Sequence, residues 1–374
     1  MTASRDRAST DAHAVLTVSD DLPLAVSRPV HSGKVRSVYF LRAEDSQRII
    51  ADRNYAVPAD SALALMVISD RLSAFDCLWH SENLQGVPGK GAALNAIAAH
   101  WFSRFSALGL AAHHLLEMPH PMLWVVRQAQ PVKIEAIARR YLTGSLWRAY
   151  QRGERTVGGV RLPDGLQQYQ RLPELLFTPS TKGVMKELEG VAENDDAPVA
   201  TDAIRRHFAA FGLQSPRQLD SCVEALQRGF ACIEDELARQ GELLVDTKFE
   251  FGIAPAADGA EELIYMDEVG TPDSSRIWRE TDWKRGSPRE HSKEQFREAL
   301  LGWVPEPELL LDPQRMPERG AFARANAVPD AFFESLGETY RDQAARILGT
   351  ALSRPDRPRE EMLDVLSARF GLVR

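Results

Sequence analysis

GELLVDTKFEFGI, residues 241–253, is the stretch on which the fold turns. Side chains alternate along a strand, so Val245, Thr247, Phe249 and Phe251 share one face while Asp246, Lys248 and Glu250 share the other. The turn pair Asp258-Gly259 follows, and then a second strand, ELIYMDEVG over 262–270, which makes an antiparallel hairpin. With the turn at Asp258-Gly259, Lys248 stands roughly opposite Asp267 and Glu250 roughly opposite Tyr265. That register puts Asp267 on the face that carries Asp246, Lys248 and Glu250. A solvated outer face is the plain reading of three charges on one side of a strand. Two carboxylates beside a lysine are also a site for a hard cation and a phosphate, because oxygen ligands suit Mg²⁺ and an ammonium neutralises phosphoryl oxygens.

Working outward, TPDSSRIW (271–278) adds a turn through Pro272-Asp273 and a cation, Arg276. Upstream, PVKIEAIARRYLTGSLW (131–147) alternates so that Glu135, Ile137, Arg139 and Tyr141 share a face, then breaks at Gly144, with Ser145 as the expected N-cap of a short helix. A helix start beside an arginine suits a phosphate, and a capped helix next to a surface arginine explains the segment equally well. HSGKVRSVYF (31–40) reads as a glycine turn between strands with Lys34 and Arg36 projecting. ISDRLSAFD (68–76) reads as a polar turn ending a buried strand. PGKG (88–91) reads as an anion cradle or simply a helix entry.

The 374 residues allow two or three units at about 150 residues per domain. A leader is expected over 1–25. A first lobe, 26–130, carries strands at 35–41, 61–69 and 122–127 around a helix at 91–105, whose Leu94, Ile97, Ala98, Trp101 and Phe105 share a face. A second lobe follows over 131–304, with Pro131 as the hinge, an acidic loop at 183–199 and two helices within 201–240. A helical tail, 305–374, is expected to pack on the second lobe. The fold class is thus α+β, two-lobed, with antiparallel sheets. Lys+Arg number 45 against 53 Asp+Glu, a net charge of −8, which argues against a general nucleic-acid or membrane-surface binder. Three cysteines with no CxxC pair give neither a zinc framework nor a disulfide scaffold. None of the nine histidines pairs at ligand spacing, and His113-His114 are read as structural residues of an apolar helix. No apolar run approaches the roughly 18 residues of a membrane span. The expectation is a cytoplasmic protein, a monomer or small homo-oligomer, with neither nucleic acid nor membrane as partner.

Taken in order, GKVRSVY, SDRLSAFD, PGKG, PVKIEAIARRYLTGSLW, LPELLFTPSTK, LLVDTKFEFG and MDEVGTPDSSRIW resemble the SAICAR synthetase family from residue 33 to about 297. The resemblance implies a two-lobed ATP-binding fold related to protein kinases and ATP-grasp enzymes. It implies a reaction in which ATP, L-aspartate and carboxyaminoimidazole ribonucleotide (CAIR) give SAICAR, ADP and phosphate, with Mg²⁺. It further implies that Lys34 contacts the ATP phosphates, that Glu135 and the strand after Pro131 lie at the adenine pocket, and that Lys182 is a further phosphate ligand. Arg139, Ser145, Arg276 and Arg297, with Ser73 and Asp76, would hold the nucleotide substrate. Asp246 would position that substrate and take the proton of the attacking amine, Lys248 would meet the transferring phosphate, and Glu250 and Asp267 would bind magnesium. In the acidic loop AENDDAP (192–198), only Asp196 carries over, Asp195 standing where the family has His; Ser292 stands where an Asp precedes the KEQFR segment.

Two rivals remain at this level. A small-molecule kinase of the inositol-phosphate type carries a similar DxK strand but leaves YLTGS and TPDSSR without a role. A silent nucleotide-binding module would have lost one of Lys34, Lys248, Glu250 or Asp267, and all four are present.

Overall fold

The computed structural model describes residues 15–373. Strands at His31–Ser32, Arg36–Phe40, Leu63–Ile68, Leu123–Arg127 and Leu115–His120 form, in that spatial order, one antiparallel sheet. The expected helix runs Lys90–Ala107, and Leu94, Ile97, Ala98, Trp101 and Phe105 on it are all fully buried. Up to Ala98 its other faces are buried as well, Ala92 and Ala93 among them, while Ser103, Ser106 and Ala107 near its end are exposed. A helical stretch buried on every face must be covered on both sides. The sheet covers one side and the C-terminal helix Asp330–Leu348 the other.

A helix at Ala43–Arg53 was not expected, because only Ser46, Ile49 and Ile50 of AEDSQRIIADR are buried and the apolar stripe is too thin to read. His113 and His114 are not helical. The helix stops at Ala107 ahead of Gly109 (φ +60°), and the chain extends so that His114 N–H bonds to Tyr265 O at 3.0 Å and Tyr265 N–H to Ala112 O at 2.9 Å.

The second sheet has seven strands. Its main path runs Arg171–Phe177, Ile134–Tyr141, Glu242–Pro255, Glu261–Met266. The strands Ser180–Thr181, Ser275–Arg279 and Gln130–Pro131 sit beside this path. The helix Gln218–Arg239 covers its back. Phe249 lies so close to Gly229 on that helix that an added Cβ would come within 2.9 Å of its ring.

The alternation expected in 241–253 holds from Asp246 onward, with Phe249 and Phe251 in the core and Lys248 and Glu250 on the opposite face. A β-bulge between Leu244 and Asp246 breaks it, so that Leu244 joins that core and Val245 packs instead with Tyr141 and Trp278. The hairpin register does not hold. Glu250 pairs with Met266 and Phe251 with Tyr265, one residue from the expected alignment, because the turn spans 256–260. Strict alternation would then have sent Asp267 to the wrong face. The strand ends at Met266, and Asp267 adopts left-handed backbone (φ +54°), which returns it to the charged side.

Residues 1–14 of the expected leader lie outside the described residues. The described remainder is tied down: Leu16 N–H bonds to Asp70 Oδ2 at 2.9 Å, and Tyr39 Oη donates to Ser19 O at 2.9 Å. The acidic loop 183–199 contains no helix or named strand. The C-terminal region, expected on the second lobe, also reaches the first. Asp330 accepts from Ser81 Oγ and from Asn83 N–H at 2.9 Å, and Glu361 meets His120 Nε2 at 3.2 Å. A single apolar core runs through both sheets and these helices. Among the described residues no helix is long and apolar enough to cross a membrane.

Candidate active site

Strand pairing alone builds the centre of the site. Asp246 stands opposite Arg139 on one neighbouring strand and opposite Arg276 on the other. Residues opposite each other share a face, so one carboxylate is set between two guanidiniums before any side chain is placed. Arg276 Nη1 lies 2.6 Å and Arg139 Nη1 3.4 Å from Asp246 Oδ2. Arg139 is also held by Thr178 Oγ1 at 2.8 Å. Arg276 Nη2 reaches Glu294 at 3.0 Å, and Arg297 reaches the same carboxylate oxygen at 3.0 Å. Burial would raise the Glu294 pKa, but Arg276 and Arg297 outweigh it and hold it at about 2.

Two positions along the strand, Lys248 Nζ donates to Glu135 Oε1 and Glu250 Oε1, each at 2.8 Å, and Lys182 caps the other oxygen of Glu250. Burial works against the Lys248 ammonium, yet Glu135 and Asp267 outweigh it and its pKa rises. Asp267 lies 3.3 Å from Arg36 Nη1. Burial would raise its pKa as well, but Arg36, Lys248 and Lys182 draw it down to about 2. The Asp267 carboxylate is therefore poised as an anion.

Gly144 opens the helix Gly144–Gln151, so Ser145 is not the N-cap; Thr143 occupies that position. The glycine is required here. Its φ is +57°, and a Cβ would sit 2.6 Å from Arg276 Nη2.

These groups line two adjoining cavities. Lys34, Ser73, Asp76, Glu135, Arg139, Ser145, Asp246, Lys248, Arg276 and Arg297 line one of about 400 Å³. Lys182, Glu250 and Asp267 line one of about 670 Å³, with Lys34, Ser73 and Lys248 common to both. Every residue that the resemblance assigns to the site thus lines one of these two cavities. The larger cavity runs between the sheets past Val35, Ala64, Met66, Gln128, Ala129 and Met266 as an apolar slot, and Glu135 lies on the smaller, charged cavity against Lys248.

Both guanidiniums approach the same oxygen of Asp246, Oδ2. Phe75 (φ +50°), Asp76 (+62°) and Asp196 (+54°) share the left-handed backbone of Asp267, and all four border these cavities. Such strain in non-glycine residues gathers where geometry serves function.

Sequence reading passed over Glu268, Asp273 and Lys293, which line both cavities. Asp273 lay within the quoted TPDSSR, and Lys293 opens KEQFR. PGKG is not an anion cradle: Lys90 is wholly buried, with its Nζ 3.0 Å from Asp273 Oδ2.

The SAICAR synthetase family model matches residues 29–306. The phosphoribosylaminoimidazole-succinocarboxamide synthase of Vibrio vulnificus (strain CMCP6) is 52% identical over 363 residues, covering 97% of this chain and 99% of the relative. That of Aeromonas salmonicida (strain A449) is 53% identical with the same coverage. Among solved structures, the SAICAR synthase of Saccharomyces cerevisiae, complexed with SAICAR, superposes with a TM-score of 0.61 at 25% identity, over 89% of this chain and 98% of that one. With the cleft, the charged cavity and the matched motifs coinciding, this chain belongs to the SAICAR synthetase family.

Proposed function

We propose that the two cavities hold ATP and CAIR end to end, with phosphoryl transfer at their junction. The reaction of this chain is the family's, ATP-dependent ligation of L-aspartate to the carboxylate of CAIR in purine biosynthesis. A carboxylate has no leaving group for an amine to displace. Transfer of the γ-phosphoryl to a carboxylate oxygen breaks the bond to the ADP oxygen and makes an acyl phosphate. The aspartate amine then attacks the carbonyl carbon and phosphate departs with the oxygen that bridged it. Catalysis is mostly positioning and charge neutralisation.

The observation that carries this reading is the set of cations, Lys34, Lys248 and Lys293, that borders both cavities where the two anions must meet. We assign the apolar slot to the adenine and Lys34 and Lys182 to the ATP phosphates. Arg139, Ser145, Arg276 and Arg297, with Ser73 and Asp76, hold the ribonucleotide. Asp246 positions it by fixing the two arginines, and Lys248 meets the transferring phosphoryl group.

Mg²⁺ fits the donors present. It is ordinarily held by one or two carboxylates plus substrate phosphates, so Glu250 with Asp267 suffices, and Glu250 already carries an ammonium on each oxygen. Among the described residues no group of three or more His, Cys, Asp or Glu is placed to hold a metal ion. When bound, Mg²⁺ supplies neutralisation of phosphoryl charge. We place the reaction in the cytoplasm.

A small-molecule kinase is not favoured: the family match and the relatives belong to the synthetase. The test is isotopic. CAIR labelled with ¹⁸O in its carboxylate is expected to deliver one labelled oxygen to inorganic phosphate per turnover and to keep the other in the amide. Unlabelled phosphate would exclude the acyl-phosphate route.

A further inference from the structure

Asp273 lines both cavities, and its side chain is only 4% exposed. Three groups converge on its carboxylate. Lys293 Nζ lies 3.3 Å from Oδ2, Lys90 Nζ lies 3.0 Å from the same oxygen, and the Tyr340 hydroxyl donates to Oδ1. They arrive from three parts of the chain. Lys293 borders both cavities just ahead of the helix Glu294–Trp303, Lys90 opens the helix Lys90–Ala107 behind the first sheet, and Tyr340 projects from the C-terminal helix Asp330–Leu348.

Resting on the reading of the site given above, we propose that Tyr340 and Lys90 are positioning residues for catalysis: they lock the Asp273 carboxylate, which holds the Lys293 ammonium at the junction where nucleotide and substrate anions meet.

The arrangement is otherwise hard to explain. Lys90 is completely enclosed, and Asp273 is the one carboxylate paired with it among the described residues. Enclosing an ammonium against a single carboxylate is a poor way to stabilise a fold, since an apolar side chain of like volume packs there without desolvating a charge. Nor does the helix start need it. Asp70 Oδ1 already accepts from Gly91 N–H at 2.9 Å, and the neighbouring positions on the helix are apolar.

The arrangement does fix a carboxylate. With one oxygen in ion-pair contact with two ammonium groups and the other hydrogen-bonded to a phenol, Asp273 is restrained from turning, and Lys293 with it; Lys90 Nζ makes no hydrogen bond of its own there. Tyr340 is seated for the purpose. Its helix comes close to the loop before Lys90, where Gly337 leaves room for Pro88 O at 3.2 Å from an added Cβ and Arg341 Nη1 bonds to that oxygen at 3.2 Å. The Lys90 ammonium lies 5.7 Å from the centre of the Tyr340 ring. Tyr340 also lies beyond residues 29–306, the span covered by the family model, so that match assigns it nothing.

Steady-state kinetics on the full chain test this, with Tyr340→Phe as the decisive variant because it deletes one hydroxyl and keeps the ring. The kcat is expected to fall about tenfold, while KM for ATP, CAIR and aspartate stays within about twofold. Ile347→Val, a buried change on the same helix away from Asp273, should lower Tm comparably and leave kcat intact. Lys90→Met and Tyr340→Phe combined should lose no more than the worse single variant, since both act through one carboxylate. An unchanged kcat in Tyr340→Phe, an equal kcat loss in Ile347→Val, or losses that multiply in the double variant would each overturn the proposal. Absence of SAICAR formation by the unaltered chain would instead sink the functional reading itself.

Discussion

Asp246 shows how much one residue's neighbours decide. Its two arginines come from separate strands, and its carboxylate brings them together. A guanidinium grips a phosphate through two parallel N–H bonds that an ammonium cannot reproduce. Arg276→Lys is therefore expected to raise KM for CAIR at least tenfold while leaving KM for ATP nearly unchanged, measured by varying each substrate against saturating partners. An equal rise in both would move Arg276 out of the ribonucleotide site.

Glu290, behind Arg276, has a different role. One of its oxygens accepts from Trp278 Nε1 at 2.9 Å, while the other is buried with no partner. Burial is the largest influence on its pKa and, with Glu294 and Asp246 adding to it against the pull of Arg276, pushes it from 4.5 to about 7. An acid whose pKa is higher in the folded chain keeps a proton that the unfolded chain gives up. Stability therefore falls as pH rises through that interval and is unaffected below it. Denaturant titrations should find Glu290→Gln more stable than the parent at pH 8 and indistinguishable near pH 4. The reverse order at pH 8 would show that Glu290 serves as an anion.

At the scale of elements, the helix Gly144–Gln151 depends on its first residue. Gly144→Ala would force a side chain into left-handed backbone and into the Arg276 guanidinium. The expected result is a chain that folds, with Tm lowered by a few degrees, and a kcat/KM for CAIR reduced about a hundredfold. Retained activity would mean that Arg276 has another stable position.

The same elements show what a sequence can reveal. The alternation of Asp246, Lys248 and Glu250 was legible because a strand's period is two residues whatever it pairs with. The hairpin register was not. It depends on whether the turn takes four residues or five, and Asp258-Gly259 suits both. Asp267 reached the site through a left-handed residue that no periodicity encodes. The slot formed by Val35, Ala64, Met66 and Met266 was invisible for another reason: a strand residue facing a cleft and one facing a core have the same apolar composition until the second sheet is in place. His113 and His114 misled because an apolar neighbourhood near a long helix suits helix and strand alike.

Over the whole molecule, the two sheets and the C-terminal helices share one apolar core. Tyr340 and Gln343, one turn apart, bond respectively to Asp273 and, at 2.9 Å, to Glu242, while the same helix lies along Lys90–Ala107. Lobes joined only by a linker unfold separately, whereas lobes with a common core unfold together. Calorimetry is expected to record one transition whose van't Hoff and calorimetric enthalpies agree. Two resolved peaks would show that the lobes are independent.

The site is also full of ion pairs: Lys34 on Asp76, Lys248 on Glu135 and Glu250, Arg139 and Arg276 on Asp246. Admission of a ligand is therefore an exchange of partners, in which each incoming oxygen must displace a tethered rival. A lone sulfate or phosphate offers too few oxygens to win several exchanges at once. A molecule bearing phosphate and carboxylate on one rigid frame can win them together.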